Sequence, residues 1–333
     1  MSVSPETESP LAALGVTRSI LASHGLETKH ALGQNFLIND ALIKKIIKLS
    51  DVGANDCVLE VGPGIGTLTV ALLKHAGSVI SVERDKDLPS VLAQTCAPWA
   101  DSFTLLNKDA LDLQISDFDG REPTCFVANL PYAVAATLIL DYFERFQGIA
   151  SATIMVQKEV ADRIMAQPGS KDYGAYTVKL GMYAKPAGRF AVSAGNFYPP
   201  PRVESAVVRL DRTTPHDGEG NELSPQLVWL TCRMADAAFA TRRKTIANSF
   251  KTYLAGVGAS AGAQGASAGA QGVGADAGAS GAGTCTTAKI ARLAGRTSEL
   301  FERADIDPKR RGETLSHEEF ITLGMAAAAM LAE

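Results

Sequence analysis

Three consecutive segments end in residue types that could hold a nucleoside. Val58-Leu-Glu-Val-Gly-Pro-Gly-Ile-Gly-Thr-Leu-Thr69 runs an apolar stretch directly into Gly62, Gly64 and Gly66. Glycines at a strand end let the backbone turn sharply and let a ligand approach it closely. The GxGxG spacing, preceded by Glu60, differs from the GxGxxG fingerprint of dinucleotide enzymes, although a nicotinamide cofactor stays open on this motif alone. The next apolar run ends in Val82-Glu83-Arg84-Asp85, and a carboxylate there can accept from both ribose hydroxyls. The third ends in Asn107-Lys108-Asp109-Ala110, where a carboxylate can accept from an adenine amino group. Each acid alone could be an ordinary turn residue. Glycine loop, acid and acid in succession describe a pocket for an adenosine-containing ligand at the carboxyl edge of a sheet.

The elements that must position these residues are legible as an alternation. Cys57–Val61, Ser78–Glu83, Phe103–Asn107, Thr124–Ala128 and Ser151–Gln157 read as short strands, with the amphipathic stretch Thr67–Ala76 between the first two. Ser205–Leu210 reads as one more, after the proline cluster Pro199–Pro201. Such β-α alternation predicts a parallel sheet covered by helices. Upstream, Thr17 is a candidate N-cap of a short helix that stops at Gly25, and Asn39 a candidate N-cap of the amphipathic stretch around Leu42–Leu49. After Asp211 the strand signals cease. Val228–Phe239 and Lys244–Leu254 read as helices, helical pattern resumes at Ala288–Arg303, and Ser316 with Glu319 forms a capping box. Ala255–Gly283 is almost entirely Ala, Gly, Ser and Gln, with Ala259–Gly265 repeated at Ala266–Gly272, and is expected to be a flexible loop. The domains expected are a disordered stretch over 1–16, an α/β domain over 17–211 and a helical domain over 212–333, carrying the Ala/Gly-rich insertion at 255–283.

The chain has 333 residues, 46% apolar and 20% charged, enough to bury two cores. It lacks a long apolar run and an export-type N-terminus, so a cytoplasmic protein with no membrane contact is expected. Five cysteines without CxxC spacing and five dispersed histidines give no metal signature. A net charge of −4 argues mildly against nucleic acid. Locally, Arg233, Arg242, Arg243, Lys244 and Lys251 face only Asp236 over residues 233–251, which suits either a solvated face or a phosphate surface.

The fourth strand ends in Ala128-Asn129-Leu130-Pro131-Tyr132, which resembles the Asn/Asp-x-Pro-Tyr signature of adenine-N6 and amino methyltransferases. That resemblance implies chemistry on an exocyclic amine, a poor nucleophile because its lone pair is delocalised into the ring. Asn129 and the carbonyl of Leu130 would accept hydrogen bonds from it and favour a pyramidal nitrogen. Tyr132 would stack on the base. Orientation and electrostatics, with no strong base, would carry the rate.

Four further segments are similar to motifs of one family, the KsgA/RsmA ribosomal RNA small subunit (16S rRNA) adenine N6,N6-dimethyltransferases. They are Lys29-His-Ala-Leu-Gly-Gln-Asn-Phe-Leu37, Val156–Arg163 with Tyr173-Gly174, Asn196-Phe-Tyr-Pro-Pro-Pro-Arg-Val-Glu-Ser205, and Ala238–Ser249. The family usually has Lys where Arg202 stands, which keeps the charge. The resemblance implies a Rossmann-like class I methyltransferase sheet of seven strands with a smaller all-α C-terminal domain. It implies S-adenosyl-L-methionine as cofactor, held by Gln34, Asn35, Leu37, Glu60, Gly62, Gly64, Glu83, Asp109, Ala110 and Asn129. Asn129, Leu130, Tyr132 and Phe197 would be catalytic, with Phe197 stacking on the base opposite Tyr132. Arg242, Arg243 and Lys244, at the opening of a basic helix, would contact RNA phosphates. The implied activity is dimethylation of two adjacent adenosines near the 3′ end of 16S rRNA in a small-subunit precursor, by a monomer without metal. Two alternatives accompany it: an Erm-type 23S rRNA methyltransferase, and a ribosome-assembly checkpoint that acts mainly by binding.

Overall fold

Short, nearly continuous apolar runs bury on both faces only when helices cover both sides of a parallel sheet, and the computed structural model has that arrangement. It describes residues 7–29, 33–263 and 287–333. The chain divides into two structural units, Met1–Ala161 with Lys185–Arg212, and Asp162–Ala184 with Thr213–Glu333.

In the first unit the elements run α1 (Leu14–Ser23), β1 (Phe36–Leu37), α2 (Asp40–Ser50), β2 (Cys57–Val61), α3 (Thr67–His75), β3 (Ser78–Val82), α4 (Pro89–Thr95), β4 (Phe103–Leu106), β5 (Cys125–Asn129), α5 (Ala135–Arg145) and β6 (Ser151–Gln157). Helix α6 (Lys158–Ile164) leads out of the unit, and β7 (Ala184–Val192), β8 (Phe197–Tyr198) and β9 (Ser205–Arg212) complete it. The seven-stranded sheet has the order β4-β3-β2-β5-β6-β9-β7. β2 pairs parallel with β3 and β5, β4 with β3, and β6 with β5, whereas β9 runs antiparallel to β6. Five strands therefore point their carboxyl ends at one edge. Ile43 and Ile46 of α2 and Leu72 of α3 bury against Val58, Val79 and Val127 of the sheet. The fold class expected from the sequence is the one observed.

The start of this unit corrects the sequence reading. Residues 7–16, expected to be disordered with the rest of 1–16, are ordered; residues 1–6 lie outside the described ones. The Ser9 amide donates to Asp40 Oδ1 at 2.8 Å, Lys74 donates to the Thr7 carbonyl at 2.8 Å, and Ala13 bridges Asn39. The side chains of Asp40 and Lys74 hold the backbone of this segment, and Ala12 with Leu11 packs into the core of the unit. Helix α1 accordingly begins before Thr17, which is buried inside it, while Asn39 caps α2 as expected, accepting from the Ala41 amide at 3.0 Å.

The second unit holds α7 (Ala175–Gly181), α8 (Pro225–Phe239), α9 (Ile246–Ala263), α10 (Thr287–Ile290), α11 (Thr297–Arg303) and α12 (His317–Ala332). Its core joins Val178, Leu230, Met234, Phe250, Phe301 and Phe320. The expected boundary at residue 212 misses residues 162–184, because the periodicity of α7 says that it buries a face but not which core receives it. The stretch Ala288–Arg303 is broken at Gly295, whose φ of +81° ends the short helical turns before α11. The capping box forms as expected: the Ser316 amide donates to Glu319 Oε2 at 2.7 Å and the Glu319 amide to Ser316 Oγ at 3.2 Å. Expected loop residues 255–263 instead continue α9, since alanine is the best helix former and its side chain has little freedom to lose. The rest of that expected insertion, 264–283, lies outside the described residues. No helix among the described residues is long and apolar enough to cross a membrane.

Candidate active site

The carboxyl ends of β2, β3, β4 and β5 open into a cavity of about 560 Å³ within the first unit, the position where open α/β sheets bind ligands. Gln34, Asn35, Leu37, Glu60, Gly62, Gly64, Glu83, Asp109, Ala110, Asn129, Leu130 and Tyr132 all line it. The glycines after β2 all have positive φ. At Gly64 a Cβ would lie 3.0 Å from the Phe36 ring, so glycine lets the segment containing Phe36 lie against the loop. Gly66 does not line the cavity; a Cβ there would meet Thr95 Oγ1 at 2.9 Å, so this glycine serves the approach of α3 to α4.

The end of the cavity at β2, β3 and β4 is built from carboxylates. Glu60 is 1% exposed and accepts from Thr69 Oγ1 and Ser81 Oγ, both at 2.7 Å on Oε2. Burial pushes its carboxyl up to about 7 against the pull of those hydroxyls. Glu83 is also pushed up by burial, while the amides of Asp85 at 2.8 Å and Gly64 at 3.4 Å favour its charged form. Asn107 ties β4 to β3 by donating to the Glu83 carbonyl at 2.7 Å. Asp109 accepts from the Leu111 amide at 3.0 Å and pairs with Arg84 at 3.3 Å. It therefore makes the turn that the plainer reading of a strand-end acid expects, and lines the cavity as well. The buried Tyr142 hydroxyl takes the Ala110 carbonyl at 2.9 Å and fixes the chain beyond it.

The segment from Gly33 to Leu37 forms another wall. Gln34 donates to Asp85 Oδ2 at 2.7 Å and accepts from the Lys29 amide at 2.9 Å, and Lys29 Nζ reaches Asp85 at 2.6 Å. Burial pushes the Asp85 carboxyl up, but Lys29, the Asp87 amide and Gln34 together bring it below the usual range. Asp85 was missed in the sequence as a site residue; its only signal was its place two residues after Glu83. Thr67 was missed too. It lines the cavity at the N-terminus of α3, is 4% exposed, and its Oγ1 has no hydrogen-bond partner. Residues 30–32 of the N-terminal motif lie outside the described ones.

The end at β5 is neutral. Asn129 Nδ2 donates to the Asn35 carbonyl at 3.2 Å. A carbonyl can only accept, so this contact fixes which end of the amide is nitrogen and leaves Oδ1 as the acceptor. The Leu130 amide donates to the Met155 carbonyl at 3.1 Å, and Val134 N–H to the Pro131 carbonyl at 3.2 Å, closing the turn that presents Tyr132. The Tyr132 hydroxyl sits 2.6 Å from Ser205 Oγ, and burial pushes its pKa up. Phe197 does not join this end. It is 2% exposed, pairs with Leu37 across β1 and β8, and belongs to the core with Val192 and Val207 rather than to the cavity wall. A proline-rich motif fixes the position of that aromatic along the chain, not the side to which a two-residue strand turns it.

In the second unit Arg242, Arg243 and Lys244 are exposed. They occupy the turn between α8 and α9, not the opening of a basic helix. Arg242 donates to the Lys171 carbonyl at 2.6 Å, whereas Arg243 and Lys244 make no ion pair among the described residues. Arg233, in the same basic stretch, pairs with Asp236 at 3.2 Å.

A family model described as ribosomal RNA adenine dimethylase matches residues 25–263. A ribosomal RNA small subunit methyltransferase A from Bifidobacterium adolescentis is 34% identical, with 98% of this chain and 97% of that protein covered. Its namesake from Staphylococcus aureus is 35% identical, with 92% of each covered. Among solved structures, a dimethyladenosine transferase from Plasmodium falciparum has a TM-score of 0.64 at 23% identity, covering 86% of this chain and 95% of its own. The 23S rRNA methyltransferase ErmE has a TM-score of 0.57 at 21% identity, covering 88% and 100%. Both structural likenesses are of fold.

Proposed function

The chain belongs to the ribosomal RNA adenine dimethylase family, and on that premise we propose that it dimethylates N6 of two adjacent adenosines near the 3′ end of 16S rRNA in the assembling small ribosomal subunit, using S-adenosyl-L-methionine. The observation that carries this reading is Asn129, whose nitrogen is held by the Asn35 carbonyl so that its oxygen remains to accept from an amino group in the cavity.

The residues fit the cofactor. The cavity offers an orphaned buried hydroxyl at Thr67 beside buried carboxylates, which suits a ligand bearing hydroxyl, amino and carboxylate groups. Glu83 would accept from ribose hydroxyls, Asp109 with Ala110 would meet the adenine, and Glu60, Gly62 and Gly64 would hold the amino-acid portion under Gln34, Asn35 and Leu37. When bound, the cofactor supplies an electrophilic methyl group on a sulfonium. Asn129 Oδ1 and the Leu130 carbonyl would accept from the target amine and hold its lone pair out of the ring plane, while Tyr132 stacks on the base. The strand that carries these groups contributes no carboxylate or histidine to the cavity wall, in keeping with a reaction that needs orientation and no strong base. Arg242, Arg243 and Lys244 would contact phosphates, and the target adenine would be taken out of the RNA to reach the cavity. The enzyme acts as a monomer in the cytoplasm on this reading.

Transfer of labelled methyl groups to small ribosomal subunits lacking the modification, with large subunits in parallel, tests it. Dimethyladenosine in small subunits only is the expected result. Label in large subunits only would move the protein to the Erm-type activity, and label in neither would favour a checkpoint role.

A further inference from the structure

We propose that Ser205 is a positioning residue that locks the Tyr132 ring in place as the stacking wall of the base pocket. The inference rests on the reading of Tyr132 as the stacking surface and adds a residue that reading does not contain. Ser205 is the first residue of β9 and is 1% exposed. Its Oγ lies 2.6 Å from the Tyr132 hydroxyl. Its backbone is set by the end of β6, because it stands opposite Gln157 in the antiparallel register and the preceding Glu204 carbonyl accepts from the Lys158 amide at 2.9 Å. Gln157 itself lines the cavity. The two partners are 73 residues apart in the chain and are brought together by this bond.

Its consequence follows from what a tyrosine ring can do. The ring is fixed at its backbone end by the turn closed through the Pro131 carbonyl, yet it retains two torsions. A stacking surface free to rotate would hold the amine at many angles, and methyl transfer requires one. A bond from the far tip of the ring to a strand paired along β6 removes that freedom before the base arrives. The phenol is then an anchor and not an acid or base. The monomethylated amine, which fills more of the pocket, depends on the same fixed wall for the second transfer.

The test uses the full chain, unmodified small subunits and saturating cofactor. Ser205→Ala and Tyr132→Phe remove the bond from opposite ends. Each is expected to lower kcat about tenfold, the scale of one buried hydrogen bond, with KM for subunits and cofactor affinity within about twofold. The double variant is expected to be as slow as either single one, neither slower nor restored. A purely structural bond behaves differently: Ser205→Ala would leave a buried hydroxyl unpaired and lower Tm, and adding Tyr132→Phe would restore both Tm and rate. That restoration, or a wild-type kcat in Ser205→Ala, would overturn the inference. If Ser205→Ala does not fold, Tyr132→Phe gives the same comparison without touching the strand. Tyr132→Ala separates the two levels: a full rate there overturns the stacking reading, whereas a loss in Tyr132→Ala with wild-type kcat in Ser205→Ala overturns only the role of Ser205.

Discussion

The two ends of the cavity are built from opposite materials. At β2, β3 and β4 the wall is acidic: Glu60, Glu83 and Asp109 are held by hydroxyls, amides and Arg84. At β5 the wall is an amide, a proline and a phenol, each oriented by a hydrogen bond to backbone or to Ser205. On the proposed function, one end would select a cationic, hydroxyl-bearing ligand by charge, and the other would align a neutral amine by direction. Asn129 joins them, since its nitrogen donates to the Asn35 carbonyl in the wall formed by Gly33–Leu37, and its oxygen would serve the neutral end on the proposed function.

The largest expected effect lies at that joint. Asn129→Ala should lower the transfer rate by about 100- to 1000-fold, the scale of losing one aligned polar group in a reaction centre, measured in single turnovers. Asn129→Asp sharpens the comparison: it keeps an acceptor for the amine but places oxygen against the Asn35 carbonyl, so cofactor affinity should fall as well. At the acidic end the order reverses. Glu83→Ala should weaken cofactor binding by roughly 10- to 100-fold, as expected for a lost charge-assisted pair of hydrogen bonds, with the rate at saturating cofactor nearly kept. Titration calorimetry beside single-turnover rates separates the two patterns.

How much of this was legible in sequence also differs between regions. Strands β2 and β6 fall where the apolar runs place them, because burial on both faces leaves an unbroken signal. Strand β7 gave none: Lys185, Pro186, Gly188 and Arg189 interrupt it, and it survives because it is an edge strand with an exposed face. The residues expected at the acidic end all reached the cavity, since a strand end fixes where its side chains go. Phe197 did not, and Ser205 stood at the end of the Asn196–Ser205 motif with no site role assigned to it, because both depend on how a loop returns to the sheet. Asp85 and Thr67 carried no pattern beyond adjacency to known motifs.

A smaller effect tests whether RNA contact is separable from both ends. Replacing Arg243 and Lys244 by Glu should weaken subunit binding about tenfold or more at moderate salt and reduce the salt dependence by about two counterions, with cofactor affinity unchanged. The smallest is a pH effect at Glu60. Its carboxyl in the free protein is raised from 4.5 to about 7. A cationic cofactor favours the carboxylate, so affinity should rise with pH up to about 7 and level off above it. Glu60→Gln should flatten that curve. The linked stability has the opposite sign: a raised carboxyl favours the protonated folded state, so stability falls as pH climbs from 4.5 through about 7. Glu60→Gln should remove that decline in a melting series.

Whether orientation at the neutral end, without a base, drives transfer is tested most directly by the single-turnover rate against pH from 6 to 9, with cofactor and subunits saturating, for the parent protein and Asn129→Ala. A flat profile in the parent, with Asn129→Ala about 100- to 1000-fold lower at every pH, is the predicted result. A parent rate that climbs tenfold per pH unit, with Asn129→Ala lying on the same line, would contradict it.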